Sequence, residues 1–514
     1  MIKYKSTRGE NSLYNFSEAI LKGIANDGGL FVPAIIPKFT LKQIKSLINK
    51  SFQERALFVF DLFKTGFSNK ILRQIIKKAY FNNFDHPKIA PLIKLKNNQY
   101  ILELWHGPTL AFKDMALQII PLLFSEALKV NNNQKQIKKN LKLPKYLILT
   151  ATSGDTGKAA LEGYKNLKNI FIIIFYPKKG ISKIQELQMI TQEGNNVGVY
   201  GVYGNFDDVQ EAVKKVFNDK KFNKEILEKK NIILSSANSI NWGRLLPQII
   251  YHISGYLDLL EKKIIKLGDE IDVAVPSGNF GNILAAFYAK KMGLPINRLI
   301  CASNENNILS EFFNTGIYDV RKKILIKTPS PSMDIIVASN IERLLFEITQ
   351  NSKKVSLWMK QLRVKKKFKV DKITKKILSQ LFFADWASNK ECLKTIKKTF
   401  NETGYLMDPH TAVAQTVVEK YCHKDKTSKN IPIIICSTAH WAKFAKDVYK
   451  ALLGDQFNDS KFKTEFEILE KISNTFNLSI PKNIKELETK IIRHKEKCRP
   501  NLENIKNVIR TYLK

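Results

Sequence analysis

Two stretches of this chain pass from a short apolar run into a glycine loop and then into a helix-like segment, and that order restricts the fold more than any other feature. Tyr146–Ala151 (YLILTA) meets the loop SGDTG and continues as KAALEGYKNL. Ile271–Pro276 (IDVAVP) meets SGNFGN and continues as ILAAFYAKKMG, closed by Gly293 and Pro295. Between them, Ile170–Tyr176 (IFIIIFY) is β-branched and aromatic and is ended by Pro177, which suits a buried central strand. Asp208–Phe217 reads as an amphipathic helix with an acidic start, and Ile431–Cys436 (IPIIIC) as a late strand that runs into STAH. Strands alternating with helices predict an α/β fold on largely parallel sheets.

At 514 residues the chain exceeds one compact core, since domains usually hold about 100–200 residues. Its opening is different in character: Lys-rich and helical, with a turn at Ala25–Gly29. Asn131–Asn140 has the polarity of a surface loop or a frayed helix end, and the last part of the chain is charged and helix-like. The 84 Lys and Arg against 47 Asp and Glu give a net charge of +37. A nucleic-acid partner is one reading of that excess. The lysines, however, are scattered, occur with abundant Ile and Asn, and are not interleaved with stacking aromatics. Compositional drift is the plainer account, and no nucleic-acid partner is expected. A basic field can still hasten an anionic substrate. The five cysteines (301, 392, 422, 436, 498) form no CxxC pair, so neither a zinc site nor a disulfide framework is expected. No HExxH spacing is present and no metal is expected. The N-terminus lacks an apolar signal core. The longest apolar runs fall far short of the ~20 residues a membrane helix needs. A cytoplasmic protein with reduced thiols and no membrane partner is the expectation.

Five segments can carry chemistry. In SGNFGN, Gly278 and Gly281 allow close backbone approach, while Ser277, Asn279 and Asn282 add side-chain partners. In TSGDTG (Thr152–Gly157), Ser153 and Thr156 add hydroxyls. Backbone N–H groups at such a loop can face a phosphate or carboxylate. Alone, each loop is equally a plain chain reversal, and neither matches a Walker or GxGxxG pattern. In HGPTLAFKDMALQ (His106–Gln118), Lys113 follows three apolar residues. Desolvation there favours the neutral amine, which can form an imine with an aldehyde. On that segment alone, a surface lysine opening a helix is the simpler reading. NSINWGRLLPQ places Asn238, Ser239 and Arg244 together, and a guanidinium suits a phosphate. CSTAHWAKF sets Ser437, Thr438 and His440 at a strand's carboxyl end, where open α/β sheets bind ligands.

Taken together, these segments resemble the threonine synthase family, pyridoxal-phosphate enzymes of fold type II (the tryptophan synthase β-like fold). The resemblance runs from STRG and GIANDGGLFVP through LELWHGPTLAFKD, TATSGDTGKAALEGY, SSANSINWGR, VPSGNFGNILAAFYAKKMGLP and SNENNIL to TPSPSMDI, GYLMDPHTAVA and STAHWAKF. It implies two open parallel-sheet α/β domains plus a mainly helical N-terminal region. The boundaries it suggests are 1–92 for that region, 93–230 for a smaller domain with the lysine, 231–450 for a larger one with the phosphate loop, and 451–514 for a C-terminal helical segment. It implies Lys113 as the Schiff-base lysine. Gly278, Asn279, Phe280, Gly281 and Asn282 would be the cofactor phosphate loop, with Thr438 facing the pyridine nitrogen. Thr152, Ser153, Asp155 and Thr156 look like the loop for the substrate carboxylate. Asn238, Ser239 and Arg244 look like the site for its phosphate. One departure is visible: the family usually has proline after the histidine of STAH, and here Trp441 removes that stiffening.

The implied reaction, that of a carbon–oxygen lyase acting on phosphates, converts O-phospho-L-homoserine and water to L-threonine and phosphate in a monomer or homodimer. Lys113, released from the cofactor, would move protons at Cα, and Arg244 and Asn238 would hold the departing phosphate. A threonine hydroxyl at the ring nitrogen imposes no charge, which suits elimination and replacement better than transamination. The rivals are a dehydratase, a cysteine-synthase-type enzyme and a phospho-lyase that releases 2-oxobutanoate. The first two are disfavoured by NSINWGR and the long N-terminal signature.

Overall fold

Strand Ile271–Pro276 is buried along its whole length, as expected of a strand covered on both faces of a parallel sheet. It sits inside a six-stranded sheet in the computed structural model, which describes residues 1–136, 144–152, 154–178, 181–425, 430–454 and 462–513. Across that sheet the order is Phe382–Trp386, Ile296–Ser303, Ile271–Pro276, Ile433–Ser437, Gln99–Glu103 and Leu92–Lys96. The first five are parallel, and the last two form an antiparallel pair. A second sheet has five strands, all parallel, in the order Lys497–Cys498, Val197–Val202, Ile170–Pro177, Lys145–Ala151 and Ile232–Ser235. Parallel neighbours need crossovers, and the helices between the strands supply them.

The two expected parallel sheets and the α/β class are thus observed. One placement differs from the sequence reading. Gln99–Glu103 and all of Leu92–Lys96 but Leu92, assigned with residues 93–230, belong to the six-stranded sheet, because Gln99–Glu103 pairs in register with Ile433–Ser437. Likewise Ile232–Ser235, beyond the expected boundary at 230, pairs with Lys145–Ile148 in the other sheet. The segment after 450 is not only helical: its strand Lys497–Cys498 closes one edge of the five-stranded sheet, and Ile505 and Ile509 of helix Leu502–Tyr512 join the core beneath it.

Helix Trp242–Glu261 is buried from Trp242 to Leu260 and packs against helices Gly281–Met292 and Phe52–Leu62. The N-terminal region carries helices Phe16–Lys22, Leu41–Lys45, Phe52–Leu62 and Asn69–Tyr80, each begun by a side-chain cap from Asn15, Thr40, Ser51 or Ser68. It is docked by a buried Arg55–Asp258 ion pair at 2.8 Å. The turn at Ala25–Gly29 is present, with Gly28 at φ 78. Helix Ile120–Gln136 runs into the expected polar stretch, and residues 137–140 of that stretch lie outside the described residues. Among the described residues no helix is long and apolar enough to cross a membrane.

Strand order decides what meets at the carboxyl edge. Ile271–Pro276, Ile433–Ser437 and Gln99–Glu103 are neighbours, so the segments that follow them, 277–282, 438–444 and 104–113, emerge side by side.

Candidate active site

The lysine segment is shaped by close approaches. Gly107 faces Asp114 so closely that a Cβ would lie 2.4 Å from the Asp114 Cβ. The Asp114 carboxylate accepts from the Thr109 N–H and hydroxyl, both at 2.8 Å. Leu110 takes a left-handed φ of 57, a strained choice for a branched residue. The chain then pairs with the strand-end segment: Phe112 N–H donates to Thr438 O at 2.8 Å, His440 N–H to Leu110 O at 3.2 Å, and Ala111 bridges Ala439. Lys113 and Thr438 are therefore fixed to one another by backbone hydrogen bonds. Trp441 leaves this arrangement intact. The turn Trp441–Phe444 is capped by His440 Nδ1, which accepts from Ala442 N–H at 3.1 Å, so a cap holds the turn where a proline ring would.

Lys113 stands at the start of helix Asp114–Leu117 and is 9% exposed. It opens a helix, but inside the protein. Its Nζ lies 3.3 Å from Asp155 Oδ2 and 3.3 Å from Ser332 Oγ. Burial lowers its pKa; Asp155 opposes, while Lys443 and Arg244 add to the lowering.

Across the cleft, Phe280 precedes helix Gly281–Met292 at φ 63, with its ring buried against Phe313 and Phe382. The backbone N–H groups of Gly278, Asn279 and Phe280 have no acceptor among the described residues. The first N–H groups of the helix have no intrahelical partner either. Asn282 is buried, its Oδ1 engaged by His252 Nε2 at 3.0 Å, and its Nδ2 has no partner among the described residues. Burial pushes His252 down to about 4, so it is neutral. A Cβ at Gly278 would lie 3.0 Å from Ser332 O. This is a cradle of open donors at a helix N-terminus, suited to an anion.

Arg244, in the first turn of helix Trp242–Glu261, also lines the cleft. One guanidinium nitrogen donates to Ala237 O at 2.7 Å, while Nε has no partner. It has no carboxylate partner among the described residues, and burial pulls its pKa to about 10. A buried cation without a carboxylate, facing a cleft, can take an anionic partner.

Most of the expected residues are brought together. Lys113, Thr156, Ser239, Arg244, Gly278–Asn282 and Thr438 line one cavity. Asp155 lies just beneath it, against Lys113. Thr152 is buried and turned inward, its hydroxyl accepting from Gly154 and Gly157 N–H at 3.1 and 2.8 Å. Asn238 is exposed and not among the lining residues. Ser153 lies outside the described residues. The sequence reading missed Ser332, His410 and Lys443. Ser332 donates to Asp155 Oδ2 at 3.1 Å, its N–H donates to His410 Nε2 at 3.2 Å, and His410 Nδ1 faces Asp408 at 2.7 Å. All three lay inside segments already singled out, TPSPSMDI, GYLMDPHTAVA and STAHWAKF.

The family models described as "Threonine synthase N terminus" and "Threonine synthase, C-terminal" match residues 3–80 and 411–509. The threonine synthase of Saccharomyces cerevisiae is 38% identical over 98% of this chain and 97% of its own length. This chain belongs to the threonine synthase family. A crystal structure of the yeast enzyme overlays with a TM-score of 0.86 at 35% identity, covering 99% of this chain and 98% of that one. A threonine synthase from Brucella melitensis, solved with PLP bound, gives 0.85 at 34% identity over the whole of both chains. Human threonine synthase-like 1 is 43% identical over 87% of this chain, which spans 59% of that protein's length.

Proposed function

We propose that the chain is a pyridoxal-phosphate enzyme that converts O-phospho-L-homoserine and water to L-threonine and phosphate. The observation that carries the reading is a buried lysine amine facing an open cradle of N–H donors, with a carboxylate-free arginine in the same cleft. The residues fit the cofactor. The N–H groups of 278–282 and Asn282 Nδ2 would take its phosphate, Lys113 Nζ its aldehyde carbon, and the Thr438 hydroxyl its ring nitrogen. When bound, it acts as an electron sink for charge that develops at the substrate's Cα.

The chain's own groups do the rest. Lys113, already poised to lose its proton, takes one from Cα once its amine is free. Arg244, with Ser239 beside it, holds the substrate phosphate and the charge that grows as it leaves. Asn238 is exposed and outside the cavity lining, so the phosphate falls to Arg244 and Ser239. Thr156, with Ser153, offers the substrate carboxylate its hydroxyl, while Thr152 and Asp155 hold that loop in shape. A neutral partner at the ring nitrogen keeps the chemistry on elimination and replacement.

The visible spectrum of the purified protein, before and after borohydride reduction with the modified peptide identified, tests the cofactor claim. The label is expected on Lys113, and Lys113→Ala is expected to lose both the absorbance and on the order of 10²–10⁴ or more in turnover. Normal absorbance and turnover in that variant would end the proposal. Arg244→Ala is expected to weaken kcat/KM for the phosphorylated substrate about 10- to 100-fold, and far less for unphosphorylated amino acids. Product analysis separates threonine from the 2-oxobutanoate and ammonia of a phospho-lyase.

A further inference from the structure

Two lysines converge on one carboxylate beneath the cleft. Lys443 Nζ stands 2.7 Å from Asp155 Oδ1, and Lys113 Nζ 3.3 Å from Oδ2. The Lys443 side chain has no exposure, and its Nζ also donates to Thr109 O at 2.9 Å. Gln185 Nε2 fixes Oδ1 from a third side at 2.8 Å. Among the described residues, the other charged or titratable groups facing this spot are Arg244, the His410–Asp408 pair, His440 on the Lys443 side, and Asp114, which is occupied by Thr109. None offers Lys113 a second carboxylate. A buried ammonium requires a paired counter-charge, and here one carboxylate faces two amines. Lys443 has the shorter contact and the drier position, whereas Lys113 sits at the cavity wall.

We propose that Lys443 is a positioning residue for the amine of Lys113: it takes Asp155 as its own counter-ion and so leaves the Lys113 amine unprotonated and free to join a carbonyl carbon. This rests on reading Lys113 as the cofactor lysine. The proton that Lys113 gives up passes to water in the cleft. The directions of the electrostatics agree. Burial alone would raise the Asp155 pKa, yet Lys443 first and Lys113 second hold it well below the usual carboxylate range. Without Lys443, Asp155 would belong to Lys113 alone, which would then keep its proton to higher pH.

The full chain, freed of cofactor, is mixed briefly with pyridoxal phosphate across a pH series and reduced with borohydride. The secondary amine formed at Lys113 is quantified by peptide mass spectrometry. In Lys443→Met or Lys443→Gln the midpoint of labelling is expected to rise by about 1–2 pH units. Lys443→Arg should stay near the wild-type midpoint, and Lys443→Met combined with Asp155→Asn should return to it. An unmoved midpoint in a folded neutral variant overturns the proposal, as does failure of the double variant to restore it. If neither neutral variant folds while the double variant does, the pair serves fold stability alone and the proposal fails. If wild-type Lys113 takes no label at any pH, the cofactor reading itself falls.

Discussion

The two glycine loops begin alike and end as electrical opposites. Both follow a parallel strand and open a helix, at Asp155–Tyr164 and Gly281–Met292. In Thr152–Gly157 the Thr152 hydroxyl takes two of the loop's N–H groups, those of Gly154 and Gly157. The loop then presents a buried carboxylate, Asp155, to two lysines. In Ser277–Asn282 the Ser277 hydroxyl turns back to Val275 O, at 3.0 Å, and the N–H groups of Gly278, Asn279 and Phe280 stay open among the described residues. The same strand–loop–helix unit thus carries a carboxylate paired with two lysines on one side of the cleft, and on the other a cradle with no charged side chain of its own. What differs is where one hydroxyl points and whether the first helical residue carries charge.

If that contrast is correct, the loops fail differently. The largest effect is expected at Asp155→Ala, which strips Lys443 of its counter-ion inside the protein. Breaking a buried pair from one side costs about 3–5 kcal/mol, to be read as a lower denaturant midpoint of the cofactor-free protein. An unchanged midpoint would mean that the Thr152–Gly157 loop is not organised around its carboxylate. Gly278→Ala should act on the ligand instead. The added Cβ would lie 3.0 Å from Ser332 O and 3.1 Å from Met333 Cα, so the cradle must shift. Overpacking of this kind costs about 1–3 kcal/mol, expected here as roughly 10- to 100-fold weaker retention of pyridoxal phosphate in equilibrium dialysis.

The two loops are legible in the sequence, whereas the contrast between them is not, since both read there as anion-binding loops. The apolar runs at 146–151, 170–176 and 271–276 announced buried strands, since a strand covered on both faces has no polar alternation to obscure it. The glycines announced the loops. What the residues could not tell was sheet membership and charge pairing. A boundary at 92/93 groups Gln99–Glu103 with residues up to 230, yet a strand's sheet is set by its lateral partner, here Ile433–Ser437, far along the chain. Lys443 went unread for the same reason. One lysine among many in a basic sequence becomes distinctive only when the fold removes it from water and sets it on Asp155. Asn238 was legible as a polar residue near Arg244, but not as one left exposed while Arg244 was buried.

The smallest effect sharpens the anion side. His252 supports the Ser277–Asn282 loop from behind, donating through Nε2 to Asn282 Oδ1 at 3.0 Å and leaving Nδ1 without a partner among the described residues. Burial pushes its pKa down to about 4 from 6.5, so the folded protein holds it neutral. A depressed folded pKa means stability that is full above the unfolded value and is lost as pH falls toward the folded one. Near pH 5.5 the loss attributable to this group is about 1 kcal/mol, with more to come on the way to about pH 4. His252→Gln can keep a donor toward Asn282 but cannot be protonated. Urea midpoints measured near pH 7.5 and near pH 5.5 should therefore separate less in the variant than in the wild type. Equal separations would show that His252 titrates as an ordinary histidine, and that the support beneath Asn282 is wetter than its burial implies.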